Sequence, residues 1–426
     1  MSMLPLTELA EEFVLPDYTG RSLVNISASI LKHFGAEPPH PPLPDDVLPE
    51  GMLRGVKRVI LLLIDALGYK QLLPLLDDRE LVLNRLAKEG RLSRLTSVFP
   101  ATTTTALASL ATGLTPQEHG LLGYRLFLKE FGLVANMIRL SPEGFKQFDL
   151  LLQIGLKPER FFPAATIYQQ LEPHGVRCYT LLRAAYLGTG LSHFLYRGSE
   201  ALPFVSSSDL FVRLRRLLEG EQKQGQEQGQ EQERGREGPL LINVYWSAVD
   251  AIGHLYGPSG AELRAEVRQL AYSLEQEFLK KLSPGARQGT LLLITADHGQ
   301  VGVTSEDAFR VTRHPRFHRS LLVPPTGDFR AAYLHLRQGE LEAIERYLRR
   351  FRDRFIALRS EEALAGGLFG KGKPLPGIET RLGDLILLCR GQTFIFYPYD
   401  DKLLKGYHGS LSAPEMHIPL LAVRLD

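Results

Sequence analysis

Three largely apolar runs dominate the pattern of hydrophobic and polar positions along the chain. They lie at residues 59–64, 240–246 and 290–295. A run of this length that ends at acidic or turn residues predicts a strand buried on both faces, as in a parallel sheet. Helical patterns separate the runs, at 81–88, 104–112 and 261–282. Strands that alternate with helices predict an α/β domain with a mainly parallel sheet.

Three segments differ from this core in composition. Residues 1–50 end in a proline-rich stretch and predict an extended N-terminal wrap. Residues 219–238 contain no apolar side chain and predict a mobile loop. Residues 302–402 predict a small α+β cap inserted into the core, because the last core motif lies beyond them. The catalytic core is therefore predicted over 51–301 and 403–426.

Within this cap the pattern changes from one element to the next. It predicts a strand, then a basic amphipathic helix, then a hairpin-like pair of strands, at 330–336, 341–354 and 385–397.

Composition excludes several classes of protein. With 44% hydrophobic residues in 426, the chain has enough apolar side chains for a large core. Its 50 basic and 48 acidic residues argue against a dedicated nucleic-acid binder. Two cysteines exclude a disulfide scaffold and a four-cysteine zinc site. The first thirty residues contain neither a signal peptide nor a membrane-spanning run, so we expect a soluble, cytoplasmic protein without a membrane span.

Acidic residues follow two of the apolar runs. Asp65 comes directly after the first run, and Asp297-His298-Gly299 follows the third. Open α/β sheets place their sites at these strand ends. A carboxylate in this position is either a metal ligand or the N-cap of the next helix. Asp297 and His298 reach one metal only if the chain leaves the strand there, which Gly299 allows.

Two further segments contain metal-ligand side chains. Asp250 and His254 are four residues apart, which places them on one face of a helical turn. His408 stands among small residues before the final apolar run. That setting is typical of a metal ligand and also of an ordinary loop.

A run of threonines at 102–105 begins the helical pattern that Gly113 ends. Backbone N–H groups at a helix N-terminus bind phosphoryl groups, and a metal can convert one hydroxyl into a nucleophile. Plain helix capping is the alternative, because threonine is a common N-cap.

Taken together, these motifs resemble the alkaline phosphatase superfamily, and within it the type I phosphodiesterase/nucleotide pyrophosphatase group. The segments that carry the resemblance are Phe99-Pro-Ala-Thr-Thr103, the stretch 111–120 and Ala296-Asp-His-Gly299. The resemblance covers residues 55–300 and 405–426. It implies a three-layer α/β sandwich with a mainly parallel central sheet, to which the small cap is added.

The resemblance also implies the roles of individual residues. Two divalent metal ions would be bound, one by Asp65, Thr103, Asp297 and His298, and the other by Asp250, His254 and His408. Carboxylates mixed with imidazoles suit Zn2+, with Mn2+ as the alternative. Thr103 would be the nucleophile, since the family's nucleophile lies four residues after the Phe of the Phe-Pro pair. Tyr124 stands where the family's phosphodiesterases have an asparagine that contacts a phosphoryl oxygen, and a phenol donates one hydrogen bond.

The predicted function is therefore hydrolysis of phosphodiester or pyrophosphate bonds in a small phosphodiester or nucleotide, through a covalent phospho-threonine intermediate. A phosphomonoesterase and a phosphoglycerate-mutase-like enzyme are alternatives, but both tend to use serine as the nucleophile. The stretch between Phe99 and Tyr124 contains no Arg or Lys to bind a dianionic phosphate, which favours diesters. Arg125 is the nearest candidate cation.

Two more distant alternatives remain. A sulfatase is disfavoured because no Cys-x-Pro-x-Arg or Ser-x-Pro-x-Arg stands at the nucleophile. A catalytically silent binding protein is disfavoured because all seven ligand positions are filled. Three residues are candidates to stack on a base, although aromatic residues at this frequency are normally core: Tyr179, Tyr186 and Tyr196.

Overall fold

The computed structural model describes residues 9–220, 238–397 and 403–426. The predicted mobile loop over 219–238 lies almost entirely outside these residues. The strands, numbered in chain order, are β1 Arg58–Ile64, β2 Arg91–Thr96, β3 Arg125–Leu128, β4 Leu133–Asn136, β5 Ser141–Pro142, β6 Arg177–Arg183, β7 Glu200–Phe204, β8 Leu240–Trp246, β9 Thr290–Thr295, β10 Val301–Gly302, β11 Ala308–Arg310, β12 Thr326–Gly327, β13 Ala331–Leu334, β14 Phe355–Arg359, β15 Leu385–Cys389, β16 Phe394–Phe396, β17 Gly406–Tyr407 and β18 His417–Arg424.

The longer α-helices among the described residues are α1 Leu23–His33, α2 Val82–Glu89, α3 Thr103–Thr112, α4 Ser207–Glu219, α5 Ala248–Tyr256, α6 Ala261–Ser273 and α7 Leu341–Leu348. Shorter ones lie at Glu50–Leu53, Tyr69–Leu72, Pro116–His119, Leu150–Gln153, Pro158–Phe161, Ile167–Leu171, Ser192–Leu195, Pro284–Arg287, Pro315–Ser320, Ser360–Ala365, Glu379–Leu382 and Ala413–Met416. None of the described helices combines the length and the hydropathy that a bilayer crossing needs.

The central sheet has the order β2-β18-β9-β1-β8-β6-β7. The three apolar runs are its middle strands β9, β1 and β8, and they are parallel. All seven residues of β8 and all six of β9 are buried. Because successive side chains point to opposite faces of a strand, complete burial means that both faces of the sheet are covered. The predicted α/β sandwich with a mainly parallel central sheet is confirmed.

Helices form the covering layers. Helix α1 packs against α3, while α4 and α5 pack against α6. The predicted helix over 261–282 consists of α6 and a π-helical stretch, Leu274–Leu279. In the cap, the helix predicted over 341–354 is α7 with a 3-10 turn, Arg349–Phe351.

A second seven-stranded sheet has the order β14-β15-β13-β12-β3-β4-β5. Strands β3, β4 and β5 come from residues 125–142, whereas β12–β15 come from the segment 302–402 that we predicted as a separate cap. The two parts of the chain therefore share one sheet, joined where β12 pairs with β3. The domain boundaries themselves remain a prediction.

The prediction of a hairpin over 385–397 is wrong. Strand β15 pairs with β13 and β14, while β16 pairs with β11 in a separate two-stranded sheet. Since β15 has a neighbour on each edge, it leaves no edge to which β16 could bind.

Candidate active site

Asp65 and Asp297 meet at the carboxyl edge of the central sheet. Strands β1 and β9, which precede them, are parallel neighbours in the sheet. The backbone N–H of Asp65 donates to Trp246 O on β8 at 2.9 Å, and the backbone N–H of Ala66 donates to Asp297 Oδ1 at 3.0 Å. Both carboxylates are almost fully buried, with Asp65 2% and Asp297 0% exposed. The sheet register thus places two buried acids side by side.

Each of these carboxylates has one oxygen bound by protein and one without a partner. Asp65 Oδ2 accepts a hydrogen bond from Tyr245 Oη at 2.5 Å, and Asp297 Oδ1 accepts two backbone N–H groups. Asp65 Oδ1 and Asp297 Oδ2 are buried without a hydrogen-bond partner, and His298 Nε2 lies 3.5 Å from each. Burial and the nearby Asp297 charge raise the pKa of Asp65 well above its usual value. Unpaired buried carboxylate oxygens are costly, and a cation between them removes that cost.

Asp250 lies within α5, with two imidazoles facing it. Its Oδ1 is 3.3 Å from His254 Nε2 and 3.7 Å from His408 Nε2. Burial alone would raise the pKa of Asp250, but the two imidazoles outweigh it and hold the pKa below its ordinary value. Burial alone would lower the pKa of His254, whereas the Asp250 carboxylate raises it to about 9. The pKa of His408 is well below normal because of burial and the neighbouring His298.

Gln300 binds the Asp250 carboxylate through a hydrogen bond. Its Nε2 donates to Asp250 Oδ1 at 2.5 Å. Gly253 leaves space for this amide, since a Cβ on that glycine would lie 2.0 Å from Gln300 Oε1. A glycine three residues after Asp250 therefore makes room for the Gln300 side chain that binds Asp250.

The three imidazoles are oriented in the same way. Each Nδ1 lies within hydrogen-bond distance of a backbone carbonyl: His254 on Gly406 O at 2.7 Å, His298 on Gly299 O at 3.1 Å, and His408 on Ala101 O at 3.0 Å. An Nδ1–H that donates to a carbonyl leaves the Nε2 lone pair free. All three Nε2 atoms therefore point towards the carboxylates as metal ligands would.

Two groups of ligand atoms within the described residues are tight enough to bind an ion. In each group the atoms lie within 4.8 Å of one another: Asp65, Asp297 and His298 in one, and Asp250, His298 and His408 in the other. The donor set of carboxylates and imidazoles suits Zn2+ or Mn2+. The structure thus brings the predicted ligands into one buried site, while their division between two ions remains a prediction.

Thr103 is distinguished from its neighbours by its surroundings. It is the first residue of α3, and its Oγ1 lies 3.2 Å from His298 Nε2. Thr102 Oγ1 instead donates to Asp328 at 2.6 Å. Thr104 and Thr105 are fully buried, and their hydroxyls have no partner. Of these four hydroxyls, that of Thr103 is the one in contact with a candidate metal ligand.

Thr103, Asp65 and Asp250 line a cavity of about 170 Å3. The cavity is mainly apolar, and its lining includes Leu107, Phe148, Leu182, Tyr186, Leu195, Tyr196 and Tyr245. Two of the three tyrosines considered for base stacking, Tyr186 and Tyr196, therefore stand beside the site. Tyr179 does not line this cavity, and all three tyrosines also pack against the hydrophobic core.

Tyr124 and Arg125 lie in a different arrangement. The ring of Tyr124 is 6.5 Å from that of Phe329, and the Arg125 guanidinium lies over both rings, at 5.1 and 4.7 Å. Arg125 Nε is 3.4 Å from Glu143 Oε1. Neither residue lines the cavity at Thr103. The role predicted for Tyr124 at a phosphoryl oxygen remains a prediction.

Asp328 is a buried acid near the site that sequence reasoning missed. It accepts the Thr102 hydroxyl and packs against Gly409, where a Cβ would lie 2.8 Å from its own Cβ. Burial raises the pKa of Asp328 to about 6, although the hydrogen bond from Thr102 opposes this shift. Asp328 thus joins the segment before Thr103 to the loop after His408. No motif surrounds it that could have singled it out.

Gly299 is required by close packing. A Cβ there would lie 2.0 Å from Pro414 O and 3.1 Å from Gly68 Cα. We expect Gly299→Ala to lower the free energy of unfolding by about 1–3 kcal/mol, because the backbone must move. Urea denaturation measures this, with Gly285→Ala as the control, since a Cβ on Gly285 meets no atom within 4 Å. Equal stability of the two variants would contradict this account.

Comparison with known proteins decides the family. A model of the type I phosphodiesterase / nucleotide pyrophosphatase family matches residues 59–411, which is most of the chain. The chain belongs to this family. It is therefore an enzyme of the alkaline phosphatase superfamily, a hydrolase acting on phosphoric diesters. None of the curated proteins matches the chain.

Solved structures share the fold of this phosphodiesterase. Murine ectonucleotide pyrophosphatase / phosphodiesterase 5 has a TM-score of 0.62 at 17% identity, over 86% of this chain and 87% of its own. An inactive Thr-to-Ala variant of that murine protein, in complex with AMP, has a TM-score of 0.61 at 16% identity, over 86% and 88%. Phosphonoacetate hydrolase from Sinorhizobium meliloti 1021, in complex with phosphonoformate, has a TM-score of 0.59 at 18% identity, over 86% and 90%.

Proposed function

We propose that this family member is a two-metal phosphodiesterase or nucleotide pyrophosphatase that uses Thr103 as its nucleophile. The observation that carries the proposal is the position of Thr103 Oγ1. It lies 3.2 Å from His298 Nε2 and beside the cavity, while two unpartnered carboxylate oxygens flank the same histidine. A hydroxyl between a substrate cavity and a metal site is where an in-line nucleophile belongs.

The donor set supports two divalent ions, Zn2+ or Mn2+. In the proposal Asp65, Thr103, Asp297 and His298 bind one ion, and Asp250, His254 and His408 bind the other. When bound, the pair would favour the ionised Thr103 hydroxyl and neutralise charge on the phosphoryl group.

The chain itself supplies the rest of the chemistry. Thr103 oxygen attacks phosphorus, the bond to one ester oxygen breaks, and that group leaves with the proton that the hydroxyl has lost. The phosphoryl group, which still carries its other substituent, remains as a phospho-threonine ester. Water then attacks that ester, which releases a phosphomonoester and restores the hydroxyl. Thr103 is the first residue of α3. A phosphoryl group bound at its hydroxyl would therefore lie next to free backbone N–H groups and the positive end of the helix dipole.

The cavity supports a nucleotide as substrate. Tyr186 and Tyr196 line the same cavity as Thr103 and supply the aromatic surface that base stacking needs. The AMP complex of the murine neighbour, in which a single Thr-to-Ala variant is described as inactive, is consistent with this interpretation.

The proposal predicts a preference for diesters. The Arg125 side chain contacts the Glu143 carboxylate and packs over two aromatic rings. In the proposal it therefore does not supply the cation that a dianionic monoester requires. We expect kcat/KM for bis-p-nitrophenyl phosphate, or for a nucleotide p-nitrophenyl ester, to exceed that for p-nitrophenyl phosphate by about tenfold or more. The substrates are compared with and without a chelator.

Arg125→Ala is the control for this experiment. It should leave the diester preference in place. A preference of the wild type for the monoester would overturn the diesterase proposal. Loss of that monoester preference in Arg125→Ala would identify Arg125 as the cation responsible.

A further inference from the structure

Tyr245 joins the candidate metal site to the cavity. It lies on β8, directly opposite Leu63 of β1, so its side chain reaches the carboxylate that follows β1. Its Oη donates to Asp65 Oδ2 at 2.5 Å. The ring is 8% exposed and forms part of the cavity wall.

This hydrogen bond distinguishes the two oxygens of Asp65. Oδ2 is bound by the phenol, so Oδ1 is left facing His298. Hydrogen bonds from an outer residue commonly orient a ligating carboxylate, and their loss costs about 10–100-fold in metal affinity.

We infer that Tyr245 is a positioning residue that fixes the orientation of Asp65 and thereby strengthens metal binding. The inference rests on the metal site of the proposed function. It is specific to the phenol oxygen, because a phenylalanine would fill the same space and leave Asp65 Oδ2 without its donor.

Tyr186 provides a matched control. It lines the same cavity, and its ring lies 6.4 Å from that of Tyr245. Its hydroxyl, however, lies 3.3 Å from Ser247 Oγ, and Ser247 is not a candidate metal ligand. Tyr186→Phe therefore removes a cavity phenol without changing the hydrogen bond on Asp65.

The test measures metal affinity directly and does not depend on turnover. The full chain is stripped of metal and titrated with Zn2+ in competition with a chromophoric chelator. We expect Tyr245→Phe to raise the dissociation constant of one of the two ions about tenfold or more, and Tyr186→Phe to leave both constants within about twofold. Thermal unfolding of the metal-free proteins checks that both variants are folded as the wild type is.

The outcomes separate this inference from the proposed function. Unchanged affinity in Tyr245→Phe, or an equal loss in Tyr186→Phe, overturns the role of Tyr245 and leaves the proposed function intact. Failure of the wild type to bind Zn2+ or Mn2+ overturns the proposed function, and this inference with it. If Tyr245→Phe unfolds, the same titration on Tyr245→His, which restores a donor, must recover part of the affinity for the inference to stand.

Discussion

Thr103→Ala is expected to abolish phosphodiester turnover, with a fall in kcat on the order of 10^4-fold or more. The variant removes the hydroxyl that lies 3.2 Å from His298 Nε2, and no other hydroxyl of the run 102–105 contacts a candidate metal ligand. The protein should remain folded, because a change of this size typically costs about 1 kcal/mol. Steady-state kinetics and thermal unfolding on the same preparation check both parts.

The neighbouring threonines provide the controls. Thr104→Ala removes a buried hydroxyl without a partner, so it should keep activity. Thr103→Ser should keep part of it, since a hydroxyl is retained. Activity in Thr103→Ala together with an inactive Thr104→Ala would show that the nucleophile is assigned one residue too early.

Removal of metal is the second change with a large expected effect. Dialysis against EDTA should abolish hydrolysis, and Zn2+ or Mn2+ should restore it, with about two ions bound per chain. Metal removal should also lower the melting temperature, because Asp65 Oδ1 and Asp297 Oδ2 then stay buried without a partner. A ligand present at a thousand times its dissociation constant stabilises the folded state by about 4 kcal/mol.

Three measurements on one sample check these expectations: an activity assay for hydrolysis, metal analysis for the number of ions, and calorimetry for the melting temperature. The control is a dialysis without chelator, which should change none of the three. Full activity in a sample shown to be free of metal would refute the two-metal mechanism.

The sequence allowed the centre of the fold and the candidate ligands to be predicted for one physical reason. Strands β1, β8 and β9 are buried on both faces, so they form continuous apolar runs, and the residues that follow them must lie at one edge of the sheet. The parallel pairing of β1 with β9 then brings Asp65 close to Asp297.

Other features depend on contacts that no local pattern records. The hydrogen bond from Thr102 to Asp328 spans 226 residues, and that from Tyr245 to Asp65 spans 180. Tyr245 belongs to an apolar run, where a tyrosine is indistinguishable from core. The strand β16 was misassigned because burial predicts a strand but does not specify which edge it pairs with.

The position of β18 in the central sheet has a consequence for folding. This strand lies between β9 and β2, and within the described chain β2 reaches the central sheet only through it. His408 also precedes β18 by only a few residues. A chain in which this region has not yet folded therefore has an open edge at β9 and lacks His408 at the candidate site, so the central sheet and the candidate site are completed together. Until β18 has paired, the edge of β9 is open to pairing with other chains, so β18 also protects the sheet from aggregation.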